Sequence, residues 1–165
     1  MTQNYDSITS MEGLEHIRRR PGMYVGSVAQ DGDNMPEALV QILQETLSNS
    51  IDEALVGYGD EISVTIHSDN SVTISDHGRG IPMGKDFDDV IRSFTVLNSS
   101  GKFDSKAYSH SGGLHGIGSK ATAALSVYVD VNVVREDVAY SIKFAQKDIV
   151  SKSHRKPKKL SLIHI

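Results

Sequence analysis

The chain has no cysteine, which rules out a disulfide framework and a thiolate metal site and is compatible with a reducing compartment. It has no excess of basic charge. With 17 Lys and Arg against 21 Asp and Glu the formal net charge is −4, whereas a domain-wide nucleic-acid footprint would be basic. No apolar run approaches the ~20 residues that span a bilayer. The N-terminus, Met1-Thr2-Gln3-Asn4-Tyr5-Asp6, is polar and has no signal-peptide pattern. No membrane association is expected, and the cytoplasm is the expected location. There is no internal repeat. What is present, 165 residues with 38% hydrophobic and 23% charged content, suits one globular domain with a core of its own.

Residues 1–10 lack periodicity and read as an arm. Met11 to Arg20 is predicted to form a short helix with Leu14 and Ile17 inward, ended by the breaker pair Pro21-Gly22. The run Arg18-Arg19-Arg20 is either a solvated face or a contact for an anionic partner. The longest predicted helix spans Met35 to Val56. Asn34 is its expected N-cap with Glu37 at N3, close to a capping box, and Gly57-Tyr58-Gly59 stops it. At ~100° per residue, Leu43, Leu47, Ser50, Ile51 and Ala54 share one side. Glu45, Asn49 and Asp52 fall within a ~60° arc on the other. Taken alone, that stack of carboxylate, amide and carboxylate is either a set of solvated residues or part of a site.

Glu61 to His67 and Ser71 to Ser75 alternate with period two around the turn Ser68-Asp69-Asn70, so an antiparallel hairpin is predicted. It runs into Asp76-His77-Gly78-Arg79-Gly80-Ile81-Pro82. There Asp76 is either a turn former or a carboxylate placed to accept from a ligand amine. Phe87, Val90, Ile91, Phe94 and Leu97 have helical spacing. The polar stretch from Asn98 to Ser111 is either a disordered loop or a functional lid, and its position directly before a glycine-rich stretch favours the lid. A second hairpin is predicted from the alternation of Val127, Val129, Val131 and Val133, then of Tyr140, Ile142 and Phe144. Helix, hairpin, helix, lid, helix, hairpin is the order of an α+β two-layer sandwich.

Between lid and last helix lies Ser111-Gly112-Gly113-Leu114-His115-Gly116-Ile117-Gly118-Ser119-Lys120, with four glycines in seven residues. Glycine lets the backbone approach a ligand closely, and the adjoining helix start offers N–H groups to phosphate. The stretch is not a P-loop, since Gly118 is followed by Ser119-Lys120-Ala121 rather than Lys and then Ser or Thr. Gly116 to Ala121, with Glu136 further on, does match the dinucleotide pattern. That motif needs a buried strand before it, and here a polar lid precedes.

Three motifs together, Glu45-x-x-x-Asn49-x-x-Asp52, Asp76-x-Gly78-x-Gly80 and Gly112-Gly113-Leu114-His115-Gly116-Ile117-Gly118, resemble the GHKL (Bergerat) ATPase fold. Type II topoisomerases, Hsp90, MutL and sensor histidine kinases share it. Tyr5-Asp6-Ser7, Arg19-Arg20-Pro21-Gly22-Met23-Tyr24-Val25-Gly26 and Ser111 to Gly116 narrow the resemblance to the B subunits of DNA gyrase and topoisomerase IV, over residues 5 to 145. The histidine-kinase alternative lacks a phosphoacceptor helix. The resemblance implies a two-layer sandwich on a mixed, mostly antiparallel sheet, with ATP and Mg2+ as ligands.

By that resemblance Glu45 is the general base for the attacking water, and Asn49 gives its amide oxygen to Mg2+. Asp52 and Glu53 stand behind them, with Glu53 able to pair with Arg79. Asp76 accepts the adenine amino group. Gly80, Ile81 and Pro82 line the base, and Arg135 lies at the mouth. Lys102 and the backbone of Gly112, Gly113, Leu114, His115, Gly116, Ile117 and Gly118 hold the phosphates. Tyr5 reaches the nucleotide of a second protomer, so a homodimer forms through the N-terminal arm on ATP binding and gates DNA. The implied partners of the full-length protein are the A subunit of gyrase or topoisomerase IV and DNA. A non-hydrolysing nucleotide-binding module on the same fold is the alternative, against which the base Glu45 argues.

Some positions depart from the family pattern: Ser48 where Asp is usual, His77, Ser99-Ser100, Ala123, and a short segment from Pro82 to Lys102. The expected layout is an arm and short helix over 1–20, the ATPase domain over 21–146 and a basic linker over 147–165. Family members continue into a transducer domain with a lysine for the γ-phosphate, so this chain is expected to be a truncated form that binds Mg·ATP and turns it over slowly. The ending Leu160-Ser161-Leu162-Ile163-His164-Ile165 is expected to be a foreign tail, because one coding of it is the mosaic end of transposon-based sequencing libraries. An ordinary edge strand is the other possibility.

Overall fold

The computed structural model describes residues 13–32, 34–97, 99, 116–145, 148–155 and 162–164. Among the described residues four α-helices, α1 (Leu14–Arg19), α2 (Glu37–Leu55), α3 (Asp88–Thr95) and α4 (Gly118–Leu125), accompany six strands. The strands are β1 (Ile62–Ile66), β2 (Val72–Asp76), β3 (Tyr128–Arg135), β4 (Val138–Ala145), β5 (Asp148–Arg155) and β6 (Leu162–His164). They form one sheet in the order β1-β2-β6-β3-β4-β5, and every pairing among them is antiparallel. The result is the α+β sandwich that the alternation of periods predicts.

One face of β3 and β4 supplies the core. Val129, Val131 and Val133 are buried there, together with Tyr140, Ile142 and Phe144. Each such side chain contributes about 1.5–3 kcal/mol through burial. Leu14 and Ile17 of α1, Val90 and Phe94 of α3 and the alanines of α4 complete it, with Phe94 stacked on Phe144 at 5.2 Å. Helix α4 touches α1, α2 and α3 and is buried along most of its length, which its small residues Ala121, Thr122, Ala123 and Ala124 permit. The guanidinium of Arg18 donates to Ala124 O at the C-terminal end of α4 (2.5 Å), where a cation suits the helix dipole. Arg19 pairs with Glu15 at 3.0 Å. Two members of the arginine run therefore have partners within the chain.

Several expectations need correction. The capping box at the start of α2 does not form: Pro36 is the N-cap, Asn34 bridges to Asp31, and the Glu37 carboxylate accepts from Ser27 N (3.1 Å). The buried side of α2 is Ala38, Ile42, Thr46, Ser50 and Asp52, while Ile51 is 41% exposed. Thr46 meets Thr122 of α4 (3.3 Å between hydroxyls), so small polar residues let these two helices approach.

Where it is described, the segment expected to be a linker over 147–165 is strand. Residues 148–155 form β5 along β4, and 162–164 form β6 between β2 and β3, an inner strand and not an edge one. By pairing on both sides, β6 joins the two hairpins into one sheet. Residues 148–154 are exposed throughout, so no burial alternation marks β5 in the sequence.

Candidate functional site

Asp76 ends β2, and both of its carboxylate oxygens are held. Ser50 Oγ of α2 donates to Oδ2 at 2.6 Å, and Gly78 N donates to Oδ1 at 2.9 Å. Gly78 has to be small: a Cβ there would stand 3.0 Å from both Asp76 Oδ1 and Glu53 Cβ. One helical turn along α2 from Asn49 is Glu53, which takes Arg79 in a two-pronged ion pair, Nε to Oε2 and Nη2 to Oε1, each 2.9 Å. The guanidinium carbon of Arg79 lies 4.0 Å from the centre of the Tyr58 ring, a cation–π contact.

Beyond Arg79 the chain turns through Gly80, at φ +75, and presses against β3. A Cβ on Gly80 would fall 2.5 Å from Val133 Cγ1 and 3.2 Å from Val134 O. Two consecutive carbonyls are held from the sheet. Arg135 Nη1 donates to Gly80 O at 2.7 Å, and the Tyr140 hydroxyl donates to Ile81 O at 2.6 Å. Ile81 packs on the core, and Pro82 is exposed. Burial pushes the Tyr140 phenol well above its ordinary range, outweighing the opposite effect of Arg135, so it remains a neutral donor.

The other half of the site joins α2 to α4. Gly118, the first residue of α4, lies against Glu45: a Cβ on it would be 2.5 Å from Glu45 Oε2 and 2.6 Å from Glu45 Cβ. The half-buried Glu45 carboxylate also accepts from Gln41 Nε2 (3.2 Å). A carboxylate beside the first turn of a helix faces its positive end. The amide nitrogen of exposed Asn49 donates to Glu45 O at 3.0 Å, which fixes the amide plane. Gly116 has φ +58, a conformation suited to glycine, and Ile117 packs on the core. Asp52, 3% exposed, lies inside α2's buried face.

The contacts bring Glu45, Asn49, Glu53, Asp76, Arg79, Gly80, Ile81, Gly118 and Arg135 into one continuous chain, with α2 as its spine. Tyr5, Lys102, Gly112, Gly113, Leu114 and His115 lie outside the described residues. Among the described residues no group of three His, Cys, Asp or Glu could hold a metal. The amide oxygen of Asn49 is chemically suited to Mg2+, which keeps water and phosphate oxygens as its other ligands. No helix among the described residues is long and apolar enough to cross a membrane. Sequence reasoning missed Ser50, Tyr58 and Tyr140 as site residues. Ser50 had a signal, as a polar residue in the Leu43, Leu47, Ile51 stripe. Tyr140 had none, since its place in an apolar alternation marks it only as core.

Residues 34–149 match the family described as histidine kinase-, DNA gyrase B-, and HSP90-like ATPase. The chain is 42% identical over 155 residues to the B subunit of the type 2 topoisomerase of Aquifex aeolicus, covering 90% of this chain and 19% of that protein. It is 45% identical over 144 residues to the B subunit of DNA topoisomerase 4 of Enterococcus faecalis, covering 86% and 20%. With its counterpart from Streptococcus pneumoniae the identity is 44%, covering 86% and 21%. The chain thus spans about a fifth of the length of these relatives. It belongs to the histidine kinase-, DNA gyrase B- and HSP90-like ATPase family, and within it is similar to the B subunits of type II topoisomerases.

Proposed function

We propose that this chain binds Mg·ATP and hydrolyses it, as the ATPase portion of the B subunit in a type II topoisomerase. The observation that carries the proposal is the reach of α2. It holds a carboxylate, Glu45, against the start of α4, and anchors a second, Asp76, through Ser50 little more than one turn away. The base end is Asp76 with Gly80 to Pro82. A carboxylate oxygen accepts from the adenine amino group, whereas guanine would oppose it with a carbonyl oxygen and leave both acceptors unpaired. Arg79 and Arg135 flank this end. The phosphate end is the start of α4 and the glycine stretch before it, with Lys102.

Asn49 would hold Mg2+, which when bound neutralises phosphate charge. Glu45 takes a proton from the water that attacks the γ-phosphorus, the bond from that phosphorus to the bridging oxygen breaks, and ADP and phosphate leave. Asp52 supports the helix from within. In the whole protein, ATP joins two protomers through arms carrying Tyr5, and the dimer gates DNA passage together with the A subunit of gyrase or topoisomerase IV. The acidic net charge agrees with a domain that is not itself the main DNA surface.

Calorimetry with ADP and a non-hydrolysable ATP analogue, with and without magnesium, together with phosphate release, tests the reading. Glu45→Ala is expected to leave binding within about twofold and abolish turnover. Asp76→Asn is expected to weaken binding at least about tenfold, the cost of replacing an acceptor with a donor. No binding by the unaltered chain, or equal affinity for ATP and GTP, would refute it. Unchanged phosphate release in Glu45→Ala would mean that the carboxylate is not the base.

A further inference from the structure

Tyr140 belongs to the sheet layer and lies outside every motif, yet it ends on the backbone of the proposed base wall. It sits in β4 directly across from Val133 of β3, and Val133 is the side chain that leaves no room for a Cβ on Gly80. The Tyr140 ring meets Phe87 edge-on, with centroids 5.8 Å apart and planes at 90°. That contact fixes the direction of the hydroxyl, which donates to Ile81 O at 2.6 Å. One residue earlier, Gly80 O accepts from Arg135 at 2.7 Å. Two adjacent peptide groups are therefore fastened to the β3–β4 hairpin, one by an exposed-side guanidinium and one by a buried, neutral phenol. A carbonyl that turns toward a buried phenol cannot easily find another donor if that phenol is lost.

We infer that Tyr140 is a positioning residue for base recognition: through Ile81 O it sets where the Gly80–Pro82 wall stands relative to Asp76, and so how well an adenine is told from other bases. The inference rests on the nucleotide reading of the site. It assigns Tyr140 no contact with the nucleotide and no part in the chemical step.

Tyr140→Phe tests it, since phenylalanine keeps the ring against Phe87 and removes only the donor. Binding of ATP and ADP is expected to weaken by the same factor, about five- to tenfold. The preference for ATP over GTP should narrow, and phosphate release at saturating ATP should be unchanged, so that KM rises while kcat does not. Wild-type nucleotide affinity in Tyr140→Phe, with only a lowered melting temperature, would make Tyr140 structural and overturn the inference while leaving the nucleotide reading intact. Failure of the unaltered chain to bind any nucleotide would overturn both. Should Tyr140→Phe not fold, fluorotyrosine placed at position 140 gives the second measurement. Its fluorine resonance is expected to shift on saturation with ADP, and a resonance that stays in place under demonstrated ADP binding would refute the role.

Discussion

Lys120→Met is expected to stabilise the protein at neutral pH and to remove a rise in stability at alkaline pH. Lys120 lies in α4, 2% exposed and among the largest fully buried side chains of the described residues. Its ammonium donates to Ser99 O at 2.5 Å, and next to it Ser119 Oγ donates to Ser93 O at 2.5 Å, so α4 is tied to the end of α3 and the residues that follow. Burial lowers the Lys120 pKa from its ordinary 10.5 to about 8. Below pH 8 the lysine is charged in both the folded and unfolded chains, and the folded state bears the full desolvation cost. Between pH 8 and 10.5 the unfolded chain holds a proton that the folded one has released, so stability rises with pH. Above 10.5 both are neutral and the cost is gone.

At about 1.4 kcal/mol per pH unit, the recovered stability is about 3 kcal/mol at most, and water reaching the ammonium through local openings lowers it. Methionine has similar length, fills the same space and carries no charge. It forfeits the hydrogen bond to Ser99 O, worth about 1 kcal/mol. The variant should therefore be about 1–2 kcal/mol more stable than the unaltered chain near pH 7 and about 1 kcal/mol less stable near pH 10.5. Urea unfolding of both proteins at several pH values reads the difference directly. A difference that stays constant between pH 7 and 10.5 would mean that Lys120 titrates normally, and the argument from burial would fail.

Two other outcomes follow from the contacts of α2. Gly118→Ala places a Cβ 2.6 Å from Glu45 Cβ, a part of that side chain that cannot swing away, so α2 and α4 must part. A net loss of about 1–3 kcal/mol is expected despite alanine's better helix propensity, with phosphate release falling further than stability does; normal release would show that Glu45 does not need this spacing. Ser50→Ala removes one of the two donors holding Asp76 and should weaken ADP binding about three- to tenfold in calorimetry. Unchanged affinity would mean that Gly78 N alone orients the carboxylate.

Periodicity made α1, α3 and the two hairpins legible, because Leu14 and Ile17, Val90 and Phe94, and the alternating valines of β3 are buried at the spacing their elements dictate. The Glu45, Asn49 and Asp76 motifs were legible as spacing; Glu45 and Asn49 lie on α2, and Asp76, at the end of β2, meets that helix at Ser50. Strand β5 was not legible, because neither of its faces is buried and a basic, exposed segment looks the same as a linker. Strand β6 is too short for any pattern, since three residues cannot display alternation, and its place between β2 and β3 is a long-range pairing. Tyr140 was legible as core and silent about its hydroxyl. Hydrogen bonds from a side chain to a distant carbonyl leave no trace in local sequence.

The rotation of α2 follows its polar contacts more closely than its hydrophobic stripe. Judged by hydrophobicity, the helix should turn Leu43, Leu47 and Ile51 inward, where each fully buried side chain would contribute about 1.5–3 kcal/mol. Instead it buries Thr46, Ser50 and Asp52 beside Ala38 and Ile42, keeps Leu43 and Leu47 half-buried and leaves Ile51 and Leu55 exposed. A turn of ~100°, one residue's worth, would bury more of Leu43, Leu47 and Ile51 and less of Ala38 and Ile42. The same turn would carry Glu45 away from Gly118, Ser50 away from Asp76 and Glu53 away from Arg79, because each contact depends on the direction in which its residue leaves the helix. The hydroxyl pair of Thr46 and Thr122 and the two hydrogen bonds on Asp76 leave the polar side satisfied where it is buried, which makes the observed rotation tolerable.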